Sequence, residues 1–311
     1  MRQVEYVEVR CKTALNRVQG MPFRWSLNPY VGCVHSCHYC YARAYYAKAG
    51  HGDANQDFES RLLVKTNIAE VLGKELARPS WAGEQVALGT ATDCYQPAEA
   101  RYRLTRALLE TLLAHRNPVG LVTKAPLILR DLDLLAALAR AAKVRVFFTV
   151  TTVDPVLWRQ VEPGTPHPRK RLEAVQRLNA AGVPAGVLLA PILPGLTDSE
   201  ASLEAVVAAA AEYGATSFGA GPLRLPPVVK EHYLDFVGAS FPALLPRYER
   251  AYPAAYAPRD YQRRLDERLS RLRARYGFDE DSMRERRLVP SAAPAGNTPP
   301  LVRGGQLALP L

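Results

Sequence analysis

The stretch Asn28-Pro29-Tyr30-Val31-Gly32-Cys33-Val34-His35-Ser36-Cys37-His38-Tyr39-Cys40-Tyr41-Ala42-Arg43 decides how the rest of the chain is read. Its cysteines follow the spacing C-x3-C-x2-C, with Tyr39 just before the third and an aromatic-rich helical pattern directly behind it. Three thiolates on one tight loop can hold three irons of a [4Fe–4S] cube and leave the fourth iron without a protein ligand. An iron so exposed is a place where a small molecule binds and receives an electron. Structural zinc is the competing use of clustered Cys and His, with His35 or His38 as a fourth ligand. Zinc modules, however, pair two ligands on one knuckle with two more at a distance, and the chain has no second C-x2-C and no H-x3-H pair. A closed ferredoxin-type cluster needs a fourth Cys, for which only Cys11 and Cys94 remain.

At 311 residues and 48% apolar side chains, the chain can bury one large core or two modest ones, and α/β barrels of this size form single domains. Five cysteines, three of them in the motif, leave no even disulfide framework, which predicts a reducing, cytoplasmic setting. The N-terminus Met1-Arg2-Gln3-Val4-Glu5-Tyr6-Val7 has no apolar signal core, and no stretch reaches the roughly 18 uncharged apolar residues of a membrane span. The net charge of +10 suits an anionic partner, for which nucleic acid is the usual candidate, although Ala and Arg dominate the whole composition.

Residues 1–24 read as an irregular N-terminal extension, behind which strands and helices alternate. Val86 to Thr92 has the length and apolarity of a strand, and a helical pattern runs through about 98–115. Further strands are expected at Gly120–Lys124, Val144–Val150, Pro184–Ala190 and Thr216–Gly221. Helices are expected at Leu127–Ala142, Arg169–Ala181 and Asp198–Glu212, the last N-capped by Asp198. With a short strand before Cys33 this makes six strand–helix units, too few for a closed eight-fold barrel, and predicts a parallel sheet with helices outside. Chemistry in such sheets sits at the carboxyl ends of the strands, and Cys33, Thr92, Asp93, Lys124, Thr151, Thr152, Pro191 and Arg224 all fall just past one.

Past residue 222 the pattern turns helical, giving an extension over 223–289. Leu265, Leu269, Leu272 and Tyr276 form one apolar stripe, with Arg263, Arg264, Arg271 and Arg275 on the other turns. This reads as an amphipathic helix that closes the sheet edge and turns a solvated basic face outward, with nucleic-acid contact the competing use of that face. Residues 290–311, rich in Pro, Gly and Ala, read as a flexible tail.

The cysteine loop resembles the signature of the radical S-adenosylmethionine (SAM) superfamily. Asn28-Pro29-Tyr30, Cys40-Tyr41-Ala42-Arg43, Gly89-Thr90-Ala91-Thr92-Asp93, Tyr95-Gln96-Pro97-Ala98-Glu99 and Val122-Thr123-Lys124 are similar to its spore photoproduct lyase-like branch. So are Thr151-Thr152-Val153-Asp154, Pro168-Arg169 with Arg171-Leu172-Glu173, Gly182-Val183-Pro184 and Pro191-Ile192-Leu193-Pro194-Gly195-Leu196-Thr197-Asp198, so that the likeness spans roughly residues 20–225. The resemblance implies an open partial (β/α)6 barrel over 25–222 with the C-terminal helical extension attached. It implies an enzyme in which a reduced [4Fe–4S] cluster on Cys33, Cys37 and Cys40 cleaves SAM to methionine and a 5′-deoxyadenosyl radical, which abstracts hydrogen from a substrate. A DNA lesion is one candidate substrate, and an external electron donor of the flavodoxin or ferredoxin type is a required partner. The alternative is a non-catalytic zinc- or Fe–S-stapled nucleic-acid-binding module.

Carried onto this sequence, the resemblance implies that Tyr39 and Tyr41, flanking Cys40, pack on or hydrogen-bond to the adenosyl group. Lys124 would meet the carboxylate or ribose region of SAM, and Thr90, Thr92 and Asp93 its amino group, with Thr151 and Thr152 lining the same mouth. Spore photoproduct lyases place a hydrogen-donating cysteine at the position that matches Thr90. This chain instead has Cys94 four residues later, either a hydrogen donor through its S–H or an inert buried thiol. The resemblance therefore does not carry that repair reaction over.

Overall fold

Residues 4–278 are described in the structure, a computed structural model of the chain. The tail expected at 290–311 and the last part of the helical extension, 279–289, lie outside the described residues.

Strands built from branched and aromatic residues and buried on both faces need neighbours on each side and helices above them. The strands are β1 (Glu5–Val9), β2 (Leu15–Arg17), β3 (Trp25–Leu27), β4 (Tyr30–Val31), β5 (Arg61–Lys65), β6 (Val86–Leu88), β7 (Val119–Thr123), β8 (Val144–Thr149), β9 (Ala185–Ile192) and β10 (Phe218–Pro222). The first helices are α1 (Ala42–Lys48), α2 (Ile68–Leu76), α3 (Ala98–Tyr102), α4 (Leu104–Ala114), α5 (Leu132–Ala141) and α6 (Pro155–Val161). They are followed by α7 (Pro168–Ala180), α8 (Glu200–Glu212), α9 (Pro227–Ser240), α10 (Leu245–Ala251) and α11 (Arg259–Arg275). The main sheet has the order β10-β9-β8-β7-β6-β3-β2. Its strands from β3 to β10 are parallel, and β2 is an antiparallel edge. Because β10 and β2 each have a single neighbour, the sheet stays open. Six parallel strands with helical crossovers make the expected partial (β/α)6 barrel, and β3 is the short strand before Cys33.

The N-terminal segment differs from its irregular reading. β1 pairs in parallel with β5, which also takes β4 antiparallel, and β2 forms a hairpin onto β3. The residues of β1 are exposed or half-buried, so no continuous apolar run marks the strand in the sequence. The helix expected over about 98–115 is two helices, broken at Arg103 with a left-handed φ of 52°. The Glu99 carboxylate, buried under α4, takes the Thr105 N–H at 2.9 Å and so starts the second helix afresh. The N-cap of α8 is Ser199, whose hydroxyl accepts the Ser202 N–H at 3.1 Å, and not Asp198. Asp198 is occupied elsewhere: it accepts the Gly195 N–H at 2.7 Å and the Tyr261 hydroxyl of α11 at 3.0 Å.

On α11 the stripe Leu265, Leu269 and Leu272 is buried. The helix packs on α8 and β10, Phe278 meets Phe218 with ring centroids 5.5 Å apart, and Tyr276 donates to Glu204 at 2.8 Å. This covers the β10 edge, as the periodicity indicates. Among the described residues no helix is long and apolar enough to cross a membrane.

Candidate active site

The segment from Cys33 to Cys40 has no regular structure of its own, so its shape is imposed by what surrounds it. Gly32, at φ +86°, turns the chain close to Phe58, and the Cys33 N–H then donates to the Phe58 carbonyl at 2.8 Å. From the β6 side, Thr92 Oγ1 donates to the Gly32 carbonyl at 2.6 Å, and Gln96 Nε2 donates to the same carbonyl at 3.1 Å and to Thr92 Oγ1 at 2.9 Å. Gln96 Oε1 accepts the Val34 N–H at 3.0 Å, which completes a side-chain clamp on the loop. From the turn after α6, the Gly164 N–H donates to the His35 carbonyl at 3.1 Å and the His38 N–H donates to the Val161 carbonyl at 3.2 Å.

Cys33, Cys37 and Cys40 line one cavity of about 1060 Å³ at the carboxyl ends of the strands. β6 leads into it through Thr90, Thr92 and Asp93, β7 through Thr123 and Lys124, and β9 through Leu188, Ala190 and Pro191. Tyr39 and Tyr41 share the lining, and the Tyr41 hydroxyl donates to the Thr90 carbonyl. The outer lining comes from Met21 and Phe23 of the N-terminal segment and from Arg224, Tyr256, Arg259 and Arg263 of the C-terminal one.

The expected site residues therefore divide. Tyr39, Tyr41, Thr92, Asp93 and Lys124 line the cavity with the three cysteines, and the Lys124 Nζ stands 5.8 Å from the Tyr39 ring centre. Thr151 lies behind that lining, buried, with its hydroxyl 3.0 Å from that of Tyr39. Thr152 is also behind it, its hydroxyl accepting the Asp154 N–H at 3.1 Å. Cys94 is fully buried in the hydrophobic core and is not among the lining residues. It sits beneath Gly89, its Sγ 3.0 Å from where a Cβ on that glycine would stand, a placement that fits the buried-thiol reading. Cys11 is half-buried and away from the cavity, its N–H held by Asn67 Oδ1 at 2.8 Å.

Asp93 is saturated by protein donors. Its Oδ1 accepts from Tyr95 N–H at 2.9 Å and Thr123 Oγ1 at 2.7 Å, its Oδ2 accepts from Lys124 N–H at 2.7 Å, and His35 Nδ1 lies 3.3 Å from Oδ2. Four partners fill the acceptor capacity of a carboxylate, so Asp93 ties the cysteine loop to the end of β7. Burial opposes its charge, but His35 and these donors prevail and hold the carboxyl at about 2. Burial likewise opposes the Lys124 charge, yet the neighbouring Cys37 and Glu162 outweigh it and raise the ammonium above its ordinary value. In the metal-free chain burial pushes the Cys33 thiol well up and Cys37 to about 12, so loading iron releases protons.

The donor set fits a cube better than a single ion. Among the described residues no three His, Cys, Asp or Glu converge on a site for one metal ion. His35 is engaged by Asp93, while His38 stacks on Phe236 at 3.9 Å with its Nδ1 3.4 Å from His232 Nε2. Neither stands ready as a fourth zinc ligand. Three thiols spread over one cavity wall suit a [4Fe–4S] cluster, in which each thiolate holds a separate iron.

A family model described as the radical SAM superfamily matches residues 27–205. The chain belongs to the radical SAM superfamily. An uncharacterized protein of Mycobacterium tuberculosis is 40% identical over 282 residues, covering 89% of this chain and 83% of the relative. An uncharacterized protein of Methanocaldococcus jannaschii is 26% identical over 198 residues, covering 64% of this chain and 71% of the relative. Among solved structures, spore photoproduct lyase complexed with dinucleoside spore photoproduct aligns with a TM-score of 0.67 at 16% identity, over 87% of this chain and 79% of that one. A double mutant of that lyase with bound AdoMet and dinucleoside spore photoproduct aligns with a TM-score of 0.65 at 18% identity, over 87% and 78%. At such identities the likeness is one of fold. The radical SAM family implies SAM and a [4Fe–4S] cluster as cofactors, and this radical SAM protein carries three cavity-lining thiols suited to the cluster.

Four residues to which the motifs assign no role support the site: Gln96, Glu162, Gly164 and Arg171. Gln96 lies inside a motif, Tyr95-Gln96-Pro97, and a polar residue beside Thr92-Asp93 was the available signal. Arg171 likewise lies in a motif, Arg171-Leu172-Glu173, whereas Glu162 precedes and Gly164 sits within the turn Pro163-Gly164-Thr165-Pro166, where paired prolines and a glycine mark a tight backbone but not what it presses against.

Proposed function

We propose that this radical SAM enzyme holds a [4Fe–4S] cluster on Cys33, Cys37 and Cys40 and places SAM beside it. In this reading hydrogen is abstracted from an anionic substrate, with a DNA lesion among the candidates. The observation that carries the reading is a single cavity lined by three thiols together with a lysine that, although it feels the charge of Glu162, makes no direct salt bridge among the described residues. When bound, the reduced cluster supplies the electron that cleaves SAM to methionine and a 5′-deoxyadenosyl radical. The protein's own part is positioning. Lys124 offers a point charge to the SAM carboxylate. Tyr39 and Tyr41 present aromatic faces for the adenosyl group. Thr92 and Asp93, committed to the loop, keep the cysteines and Lys124 in register. An electron donor of the flavodoxin or ferredoxin type completes the system.

The anionic substrate is supported by Arg224, Arg259 and Arg263, which line the outer cavity, are exposed, and have no ion-pair partner among the described residues. Arg224 lies over the Tyr256 ring at 5.7 Å. The basic face expected on α11 is thereby narrowed. Arg264 is paired with Asp260 at 2.8 Å and Arg275 with Glu204 at 2.6 Å, while Arg263 belongs to the cavity.

Anaerobic reconstitution tests the reading. Iron and sulfide should load to a full cluster, and the dithionite-reduced protein should bind SAM and release 5′-deoxyadenosine slowly without substrate. Alanine at Cys33, Cys37 or Cys40 should abolish loading, whereas Cys11→Ala should not. A fully loaded protein that neither binds SAM nor yields 5′-deoxyadenosine refutes the enzyme. Zinc without sulfide would favour the stapled binding module.

A further inference from the structure

Behind Tyr39 lies a buried ion pair with no part in the reading above. Glu162 ends α6 and is 1% exposed, and Arg171 on α7 is 0% exposed. Arg171 Nη2 stands 2.5 Å from Glu162 Oε2. The rest of the guanidinium is fixed by the fold: Nε donates to the Pro166 carbonyl at 2.9 Å, Nη1 to the Thr149 carbonyl at 2.9 Å, and Nη2 also to Thr165 Oγ1 at 2.6 Å. A guanidinium so restrained sets the direction of the carboxylate it holds. The other carboxylate oxygen, Oε1, accepts the Tyr39 hydroxyl, and Thr151 Oγ1 donates to it at 2.8 Å.

Tyr39 is the residue between the second and third cysteines, so its ring and backbone belong to the loop that carries the thiols. A buried ion pair contributes little to stability compared with apolar residues of the same volume, because both charges leave water. Here the pair stands where the cysteine loop meets the sheet, with one carboxylate oxygen turned toward the loop. Burial opposes the Glu162 charge, while Arg171 and Lys124 overcome it and hold the carboxyl at about 2, so the charge persists throughout the neutral range.

We propose that Glu162 and Arg171 are positioning residues of the cluster site. The pair locks Tyr39, and with it the Cys37–Cys40 segment, and the Glu162 charge cancels that of Arg171 so that the pair adds no net charge beside the cluster. The inference rests on Cys33, Cys37 and Cys40 holding the [4Fe–4S] group. Removing the carboxylate charge alone leaves Arg171 uncompensated in a low-dielectric site, where a positive charge favours the reduced, more negative cluster.

The test is an EPR-monitored redox titration of reconstituted protein, with iron counted for every sample. Glu162→Gln should keep its iron and shift the reduction equilibrium at least tenfold toward the reduced state, which is 59 mV for a one-electron couple. The double variant Glu162→Gln/Arg171→Met, neutral again, should return to within threefold of the parent. A purely structural pair would not produce that restoration. Tyr39→Phe, which keeps both charges and breaks the link to the loop, should leave the equilibrium within threefold of the parent but lose iron to a chelator several-fold faster.

A fully loaded Glu162→Gln whose equilibrium stays within threefold of the parent overturns the proposal, as does a double variant displaced as far as the single one. If Glu162→Gln does not fold, Tyr39→Phe decides, and chelator loss at the parental rate overturns the proposal. A parent that loads no iron overturns the three-cysteine reading itself, a failure recognised before any variant is made.

Discussion

One methyl group on Gly164 should cost this protein its cluster before it costs the fold. A Cβ built there would lie 2.3 Å from the Val34 carbonyl oxygen and 3.0 Å from both the carbonyl carbon and the Cα of His35. The shortest contact that real Cβ atoms make is near 3.0 Å, so the turn and the cysteine loop must part by about 0.7 Å. Val34 and His35 lie between Cys33 and Cys37, and a ligand constellation tolerates displacements of only about 0.5 Å. Forcing a methyl into packed surroundings costs about 1–3 kcal/mol, and bending the bond from Gly164 N–H to the His35 carbonyl adds about 1 kcal/mol. Gly164→Ala should therefore lower the urea stability of the metal-free protein by about 2–4 kcal/mol and cut reconstituted iron to under about half, on those same allowances. Gly214→Ala is the control. Gly214 has φ +67° and nothing within 4 Å of its Cβ position, so alanine there costs about 1–2 kcal/mol of backbone strain without touching the loop. It should destabilise and keep full iron. A Gly164→Ala protein with parental iron and parental urea midpoint would refute the claim that this turn shapes the cluster site.

Lys124→Ala should weaken SAM binding to the reconstituted protein at least tenfold with iron content unchanged, as read by equilibrium binding; parental affinity would make Lys124 a lining residue only. Replacing Arg224, Arg259 and Arg263 together by Ala should flatten the salt dependence of DNA binding by a slope of about 2–3, whereas replacing the ion-paired Arg264 and Arg275 should leave it largely unchanged. An unchanged slope moves the contact elsewhere, and no binding even at about 50 mM salt favours a small anionic substrate over DNA. Asp93 and Glu162 both ionise in the fold at about 2, below their ordinary 3.8 and 4.5. Folded values below unfolded ones mean that their stabilisation is complete above roughly pH 4.5 and is lost as pH falls toward 2, on the order of 2–3 kcal/mol each. Urea unfolding at pH 6 and pH 3 checks this: the parent should lose more stability between the two than Asp93→Asn/Glu162→Gln, and equal losses would contradict it.

Local signals made much of this molecule legible in its sequence. The cysteine spacing is contained in eight residues, and runs such as Val144-Arg145-Val146-Phe147-Phe148-Thr149 announce buried strands without reference to anything distant. Lys124 could be placed at a strand end because β7 ends at the preceding residue. What stayed hidden depends on pairings across the chain. Gln96 reaches Val34 over 62 positions, and Glu162 reaches Tyr39 over 123, through side chains whose types are common in loops. The strand β1 exists because β5 lies beside it, and its own half-buried pattern is too weak to declare it. Arg263 and Arg264 are adjacent and chemically identical, yet one faces the cavity and the other an aspartate one turn back.

The polar groups around the cavity are not equivalent, and the difference bears on what the cavity can accept. Asp93 is filled by four donors, Glu162 by Tyr39, Thr151, Thr165 and Arg171, and the Thr92 hydroxyl by Gly32 and Gln96. Each of these groups spends its hydrogen bonds on the protein, which rigidifies the wall. Among the described residues, the cavity-lining cations that make no direct salt bridge are half-buried Lys124, beside Tyr39, and exposed Arg224, Arg259 and Arg263. Charge is thus offered at two depths. One negative group is suited to the inner position near the cysteines and another to the outer lining, and the proposed function would put the SAM carboxylate within and an anionic substrate at the mouth. Substrate should accordingly be lost first when the outer arginines are removed, and SAM first when Lys124 is.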